Sequence, residues 1–83
     1  MDENTKKLQS CINSIQSLQS VGAIFRLEAF NLDNKAIQTA SNGDYTTAGL
    51  FSRSAFTYTQ ISKIFFASSN DVLATCSSQI PVS

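Results

Sequence analysis

The sequence predicts an all-α protein, a long antiparallel helical hairpin with helices over about residues 5–41 and 44–79. Three observations predict it. Only three glycines and one proline interrupt the 83 residues. Both halves place residues of one helical stripe at alternating spacings of four and three, the a/d pattern of a coiled-coil seam. When the halves are folded together, large residues on one stripe fall opposite small residues on the other.

In the first half the stripe is Leu8, Cys11, Ile15, Leu18, Gly22, Phe25, Ala29, Leu32, Ala36 and Thr39. Its register passes through Gly22 without a shift, which two helices separated by a loop at Val21-Gly22 would have no reason to preserve. One helix from about Thr5 to Ser41 is therefore expected, although a mid-helix glycine costs about 1 kcal/mol relative to alanine. The alternative is a chain that breaks at Gly22 and folds its N-terminal segment back as the third helix of a bundle.

The turn is expected at Ser41-Asn42-Gly43-Asp44. Asn-Gly tolerates positive φ after a helix, and aspartate is a good N-cap for the next one. The second stripe is Ala48, Phe51, Ala55, Tyr58, Ser62, Phe65, Ser69, Val72 and Cys76. Pro81 would end this helix near Gln79. Ser68-Ser69-Asn70-Asp71 offers an earlier stop and a cap for a short last helix, because these side chains compete for backbone hydrogen bonds.

Across such a hairpin, facing positions have residue numbers of constant sum, here 87. Leu18 then meets Ser69, Gly22 meets Phe65, Phe25 meets Ser62, Ala29 meets Tyr58, Leu32 meets Ala55, and Ala36 meets Phe51. A large residue facing a small one in each layer suits an interior packed near crystal density. The same register sets Ile15 against Val72 and Cys11 against Cys76. In a reducing cytoplasm the two cysteines are expected as buried thiols. The candidate alternative is a disulfide, structural or regulatory, closing a loop of about 65 residues and contributing about 4 kcal/mol through chain entropy.

One seam does not absorb all the apolar residues. Ala23, Leu27, Phe30 and Ile37 lie on another face of the first helix, Leu50, Ile61 and Ile64 lie off the seam on the second, and Phe56 and Phe66 lie further round. Together they are expected to form a patch larger than a monomer usually exposes. Two hairpins joined through it would make a four-helix bundle, so a homodimer is the expected assembly.

Composition narrows the function classes. Six basic and six acidic residues cancel and form no basic run beyond Lys6-Lys7, which argues against nucleic acid and anionic membranes as partners. No apolar run approaches the roughly 20 residues of a membrane span, and the charged start lacks the apolar core of a signal peptide, so a cytoplasmic protein is expected.

Chemistry is sparse. With no histidine, the usual general base and the nucleophilic triads are missing, and two cysteines are too few for a zinc tetrad. Glu28, Asp33, Asp44 and Asp71 are dispersed, and Asp33-Asn34-Lys35 lacks the later glycine and glutamate of a calcium loop. No enzyme activity, cofactor or metal is expected.

Gly43-Asp44-Tyr45-Thr46-Thr47-Ala48, followed by Ala55 and Tyr58, resembles the start of helix B in a tetratricopeptide repeat, or the matching stretch of a microtubule-interacting-and-transport domain. That resemblance implies a helical module that binds partner helices or peptides in grooves. It covers about 16 residues, without the repeat's upstream tryptophan or its downstream proline, and no binding residue is carried over.

The expected function is a small non-catalytic interaction or assembly module, such as a scaffold, regulatory subunit or co-chaperone, that self-associates or binds partner helices through Ala23, Leu27, Phe30, Ile37, Leu50, Ile61 and Ile64. The alternatives are a redox-responsive regulator using Cys11 and Cys76, and a small-ligand binder in a helical bundle.

Overall fold

A computed structural model describes residues 2–79. They form two antiparallel helices, α1 (Glu3–Ser41) and α2 (Tyr45–Gln79). The hairpin is a rod of 62 × 19 × 14 Å. Pro81, expected to stop α2, lies outside the described residues.

Each helix begins on an aspartate. Asp2 Oδ1 accepts from the Thr5 N–H at 2.7 Å, which starts α1 two residues before the expected Thr5. Asp44 Oδ1 accepts from the Thr47 N–H at 3.1 Å. Hydrogen bonds from these threonines hold both carboxyls below the ordinary carboxylate value. At Asp2 the Thr5 backbone amide is the largest cause, whereas at Asp44 the Thr47 side-chain hydroxyl leads and its amide adds to it.

The turn closes by a Schellman arrangement. The Gly43 N–H donates to the Ala40 carbonyl at 2.9 Å and the Asp44 N–H to the Thr39 carbonyl at 3.1 Å. Gly43 adopts φ +86, the left-handed conformation this closure needs, whereas Asn42 stays at φ −87. Asp44 thus ends one helix with its amide and starts the next with its carboxylate.

α1 runs unbroken through Gly22, so the three-helix alternative is not the fold. Gly22 is buried, and a Cβ built there would come within 3.1 Å of the Phe66 ring, so glycine lets α2 approach closely. α2 likewise continues through residues 68–71. The expected stop does not occur because the Ser69 hydroxyl turns back to the Phe66 carbonyl at 2.7 Å inside the helix instead of capping a new one.

The seam follows the expected register, with the small member of each layer at its centre. Gly22, Ala29, Ala55, Ser62 and Ser69 are buried and Ala36 is half-buried, while Leu18, Phe25, Leu32, Phe51, Tyr58 and Phe65 are half-buried at its edges. One detail differs from the layer pairs. The atoms nearest a Cβ at Gly22 belong to Phe66, the neighbour of its layer partner Phe65, and Phe65 itself stacks on Phe25 with ring centroids 5.8 Å apart. Tyr58 stacks on the same Phe25 at 5.6 Å. The three rings lie along the seam, and the buried hydroxyl of Ser62 donates to the Gly22 carbonyl at 2.7 Å.

Cys11 and Cys76 are joined by a disulfide, with Cα atoms 6.1 Å apart. The expectation of two free thiols is corrected. The antiparallel register brings the two positions into one layer, at a Cα separation within the usual bridging range.

Candidate functional site

The hairpin buries little apolar volume. Its buried hydrophobic residues are Ala29, Ala48, Ala55 and Cys76, all small. Meanwhile Leu27, Phe30 and Ile37 on α1 are 59%, 61% and 64% exposed, and Leu50 and Ile64 on α2 are 57% and 62% exposed. Ala23 is exposed and Ile61 half-buried. These are the seven residues singled out as a contact surface.

The geometry does not gather them into one patch. Arg26 lies over the Phe66 ring, 5.7 Å from its centroid. Ile12 and Leu73 border the same cleft. The α1 line through Ile12, Arg26 and Asp33 and the α2 line through Phe66 and Leu73 therefore share one side of the rod.

At about 100° per residue, Ala23, Phe30 and Ile37 stand about 60° beyond that α1 line, with Leu27 further onto the outer back of the helix. Leu50, Ile61 and Ile64 stand about 140° to 160° from Phe66 round α2, on the opposite side of the rod, where half-buried Val21 and exposed Ile24 accompany them. The seven residues thus divide between two flanks. Ile24, Phe56 and Leu73, which are 61%, 65% and 51% exposed, extend these surfaces. Phe56 already belonged to the apolar patch expected from the sequence, and the heptad positions of Ile24 and Leu73 would have placed those two as well once the sense of the reversal was considered.

At the open end of the rod, an apolar cleft of about 240 Å³ lies against the disulfide, bordered by Leu8, Ile12, Ile15 and Leu73. Every buried side-chain nitrogen or oxygen among the described residues has a hydrogen-bond partner. The seam thus presents no orphaned polar group to a ligand. What the two flanks offer is apolar area, bordered by single charges at Arg26, Glu28, Asp33 and Lys63. No helix among the described residues is long and apolar enough to cross a membrane.

No family model, curated protein or solved structure matches this chain.

Proposed function

We propose that this protein is a non-catalytic assembly module that acts through its outer apolar surface, chiefly by associating with itself. The observation that supports the reading is how little large apolar surface the hairpin covers: the fully buried residues of the seam are small, its large residues are only half-buried, and a further set of large apolar residues faces outward. Burying a large apolar side chain contributes about 1.5 to 3 kcal/mol. These residues keep about three-fifths of their surface in water, so covering several of them would contribute a few kcal/mol, a sizeable part of the stability of a small domain.

Sedimentation velocity over a hundredfold concentration range tests this, with Phe30→Asp and Ile64→Asp to probe the two flanks separately. The expected result is a wild-type protein heavier than a monomer and at least one variant that is monomeric with unchanged helicity. A wild type that stays monomeric throughout overturns the self-association reading.

A second reading is favoured by the disulfide. Cys11 and Cys76 tie the open end of the rod next to the apolar cleft, so joining or parting them would lock or free the helix ends. This redox-responsive reading expects the association constant to change on adding reductant. An association constant indifferent to reductant removes it.

A further inference from the structure

We propose that the outer face of α1 is the self-association surface, and that a second copy of this chain docks on it antiparallel, with the two-fold axis level with the Glu28-Ala29 peptide. The inference rests on the self-association reading and specifies its surface and register.

Ser20, Ala23, Leu27, Phe30, Asn34 and Ile37 repeat the four-and-three spacing on the side of α1 away from α2, and all are exposed. They form a second seam on the same helix, with Arg26 and Asp33 one heptad apart along one border and Ile24 and Asn31 along the other. A two-fold axis sets the same stripe against itself in reverse, so its sizes and charges must be self-complementary.

Three antiparallel registers, one heptad apart, bring Leu27 and Phe30 into layers, and border charges separate them. In the central register Leu27 of one copy meets Phe30 of the other, Ala23 meets Asn34, and Ser20 meets Ile37. The two outer pairs each oppose a small residue to a larger one, as in the intramolecular seam. Arg26 of each copy then faces Asp33 of the other, giving two intermolecular ion pairs. A shift by one heptad in one direction sets Arg26 against Arg26, and a shift in the other sets Asp33 against Asp33. Like charges in those positions oppose both alternatives. A parallel pairing would put Arg26 beside Asn31 and Asp33 beside Gln38, with no ion pair.

The hairpin prepares Arg26 for this role. Its guanidinium lies over the Phe66 ring, a placement that leaves the planar N–H edge free to meet a carboxylate. Asp33 is exposed and takes part in no ion pair or hydrogen bond within the described residues.

The test is charge reversal followed by mixing, read by sedimentation equilibrium. Arg26→Glu and Asp33→Arg alone should each weaken the homodimer about 10- to 100-fold, since each turns two attractions into two repulsions. Mixed one to one, they should form a heterodimer of near wild-type affinity. In that pair the introduced glutamate of one copy faces the introduced arginine of the other, while the remaining native Arg26 and Asp33 still face each other. The double variant R26E/D33R should dimerise on its own.

Circular dichroism melts establish that each hairpin is folded. If Arg26→Glu unfolds by losing its contact with Phe66, Asp33→Arg alone and the Arg26→Gln variant carry the test. Ile64→Asp, on the opposite flank, should leave the dissociation constant unchanged. A wild-type dimer that ignores both reversals, or that falls apart with Ile64→Asp, overturns the surface and register while self-association stands. A wild-type monomer overturns both.

Discussion

The disulfide should carry a large share of the stability of this hairpin. Cys11 and Cys76 are 65 residues apart in sequence, so the bond closes a loop spanning most of the chain. In the chain-entropy account, closing a loop of that length removes enough freedom from the unfolded chain to stabilise the fold by about 4 kcal/mol. Unfolding entropy of about 2.1 cal/mol/K per residue gives the 83-residue chain roughly 170 cal/mol/K, so the same free energy corresponds to about 20 °C in melting temperature. Reduction leaves both sulfurs as apolar groups in the same layer, so little packing is lost with the bond.

The assay is thermal unfolding followed by circular dichroism, with and without reductant at fixed protein concentration, beside a Cys11→Ser, Cys76→Ser variant. The reduced protein and the variant should melt at similar temperatures, both about 20 °C below the oxidised protein. Equal melting temperatures before and after reduction, with both thiols shown to be free by titration, would refute the reasoning. The unfolded state would then be so compact that the crosslink removes little freedom from it.

Gly22→Ala sets about 1 kcal/mol of gained helix propensity against a Cβ placed 3.1 Å from the Phe66 ring. Because that ring sits half-buried on a flank and can swing outward, the net change should be within about 0.5 kcal/mol. In a Phe66→Ala background the same substitution should stabilise by about 1 kcal/mol, which a denaturant double-mutant cycle resolves. Ser62→Ala removes the buried bond to the Gly22 carbonyl and should lower the denaturation midpoint by the equivalent of about 1 kcal/mol. Asp2 and Asp44 have folded-state pKa values lowered from 3.8, so their stabilisation is complete well above that value and is lost as the pH falls through the folded ones. Melting temperature should therefore drop on acidification below about pH 4, and Asp44→Asn, which keeps the cap without the titration, should flatten that drop.

The fold was legible because a coiled-coil seam is a one-dimensional pattern. Uninterrupted spacing through Gly22 predicted one helix, and Asn42-Gly43-Asp44 contained both the left-handed glycine and the next N-cap. Opposed sizes predicted the register that joins Cys11 to Cys76. The oxidation state itself was not legible, because spacing can bring two sulfurs together but says nothing of the redox conditions around them. Nor was the closeness of the Phe66 ring to Gly22, because a layer-by-layer pairing of sizes does not represent contacts between successive layers.

The exposed apolar residues were legible in composition but their arrangement was not, and the reason is handedness. Going round a helix in a fixed sense leads from the seam to one flank, and an antiparallel neighbour reverses that sense, so equivalent heptad positions of the two helices lie on the same side of the rod. Arg26 and Phe66 are such a pair and do meet. Phe30 and Ile64 are not, so they stand on opposite sides although both are off-seam and more than 60% exposed. A single partner covering only one side would leave the other wet. A dimer through the outer face of α1 places the second hairpin beside the first and leaves Leu50 and Ile64 open to a further contact. A four-helix bundle closed over the Phe66 side would instead trap Arg26 and Asp33 between hairpins, where desolvation opposes each unpaired charge. The position of these two charges, on the border of the α1 stripe, therefore favours the side-by-side arrangement over the closed bundle.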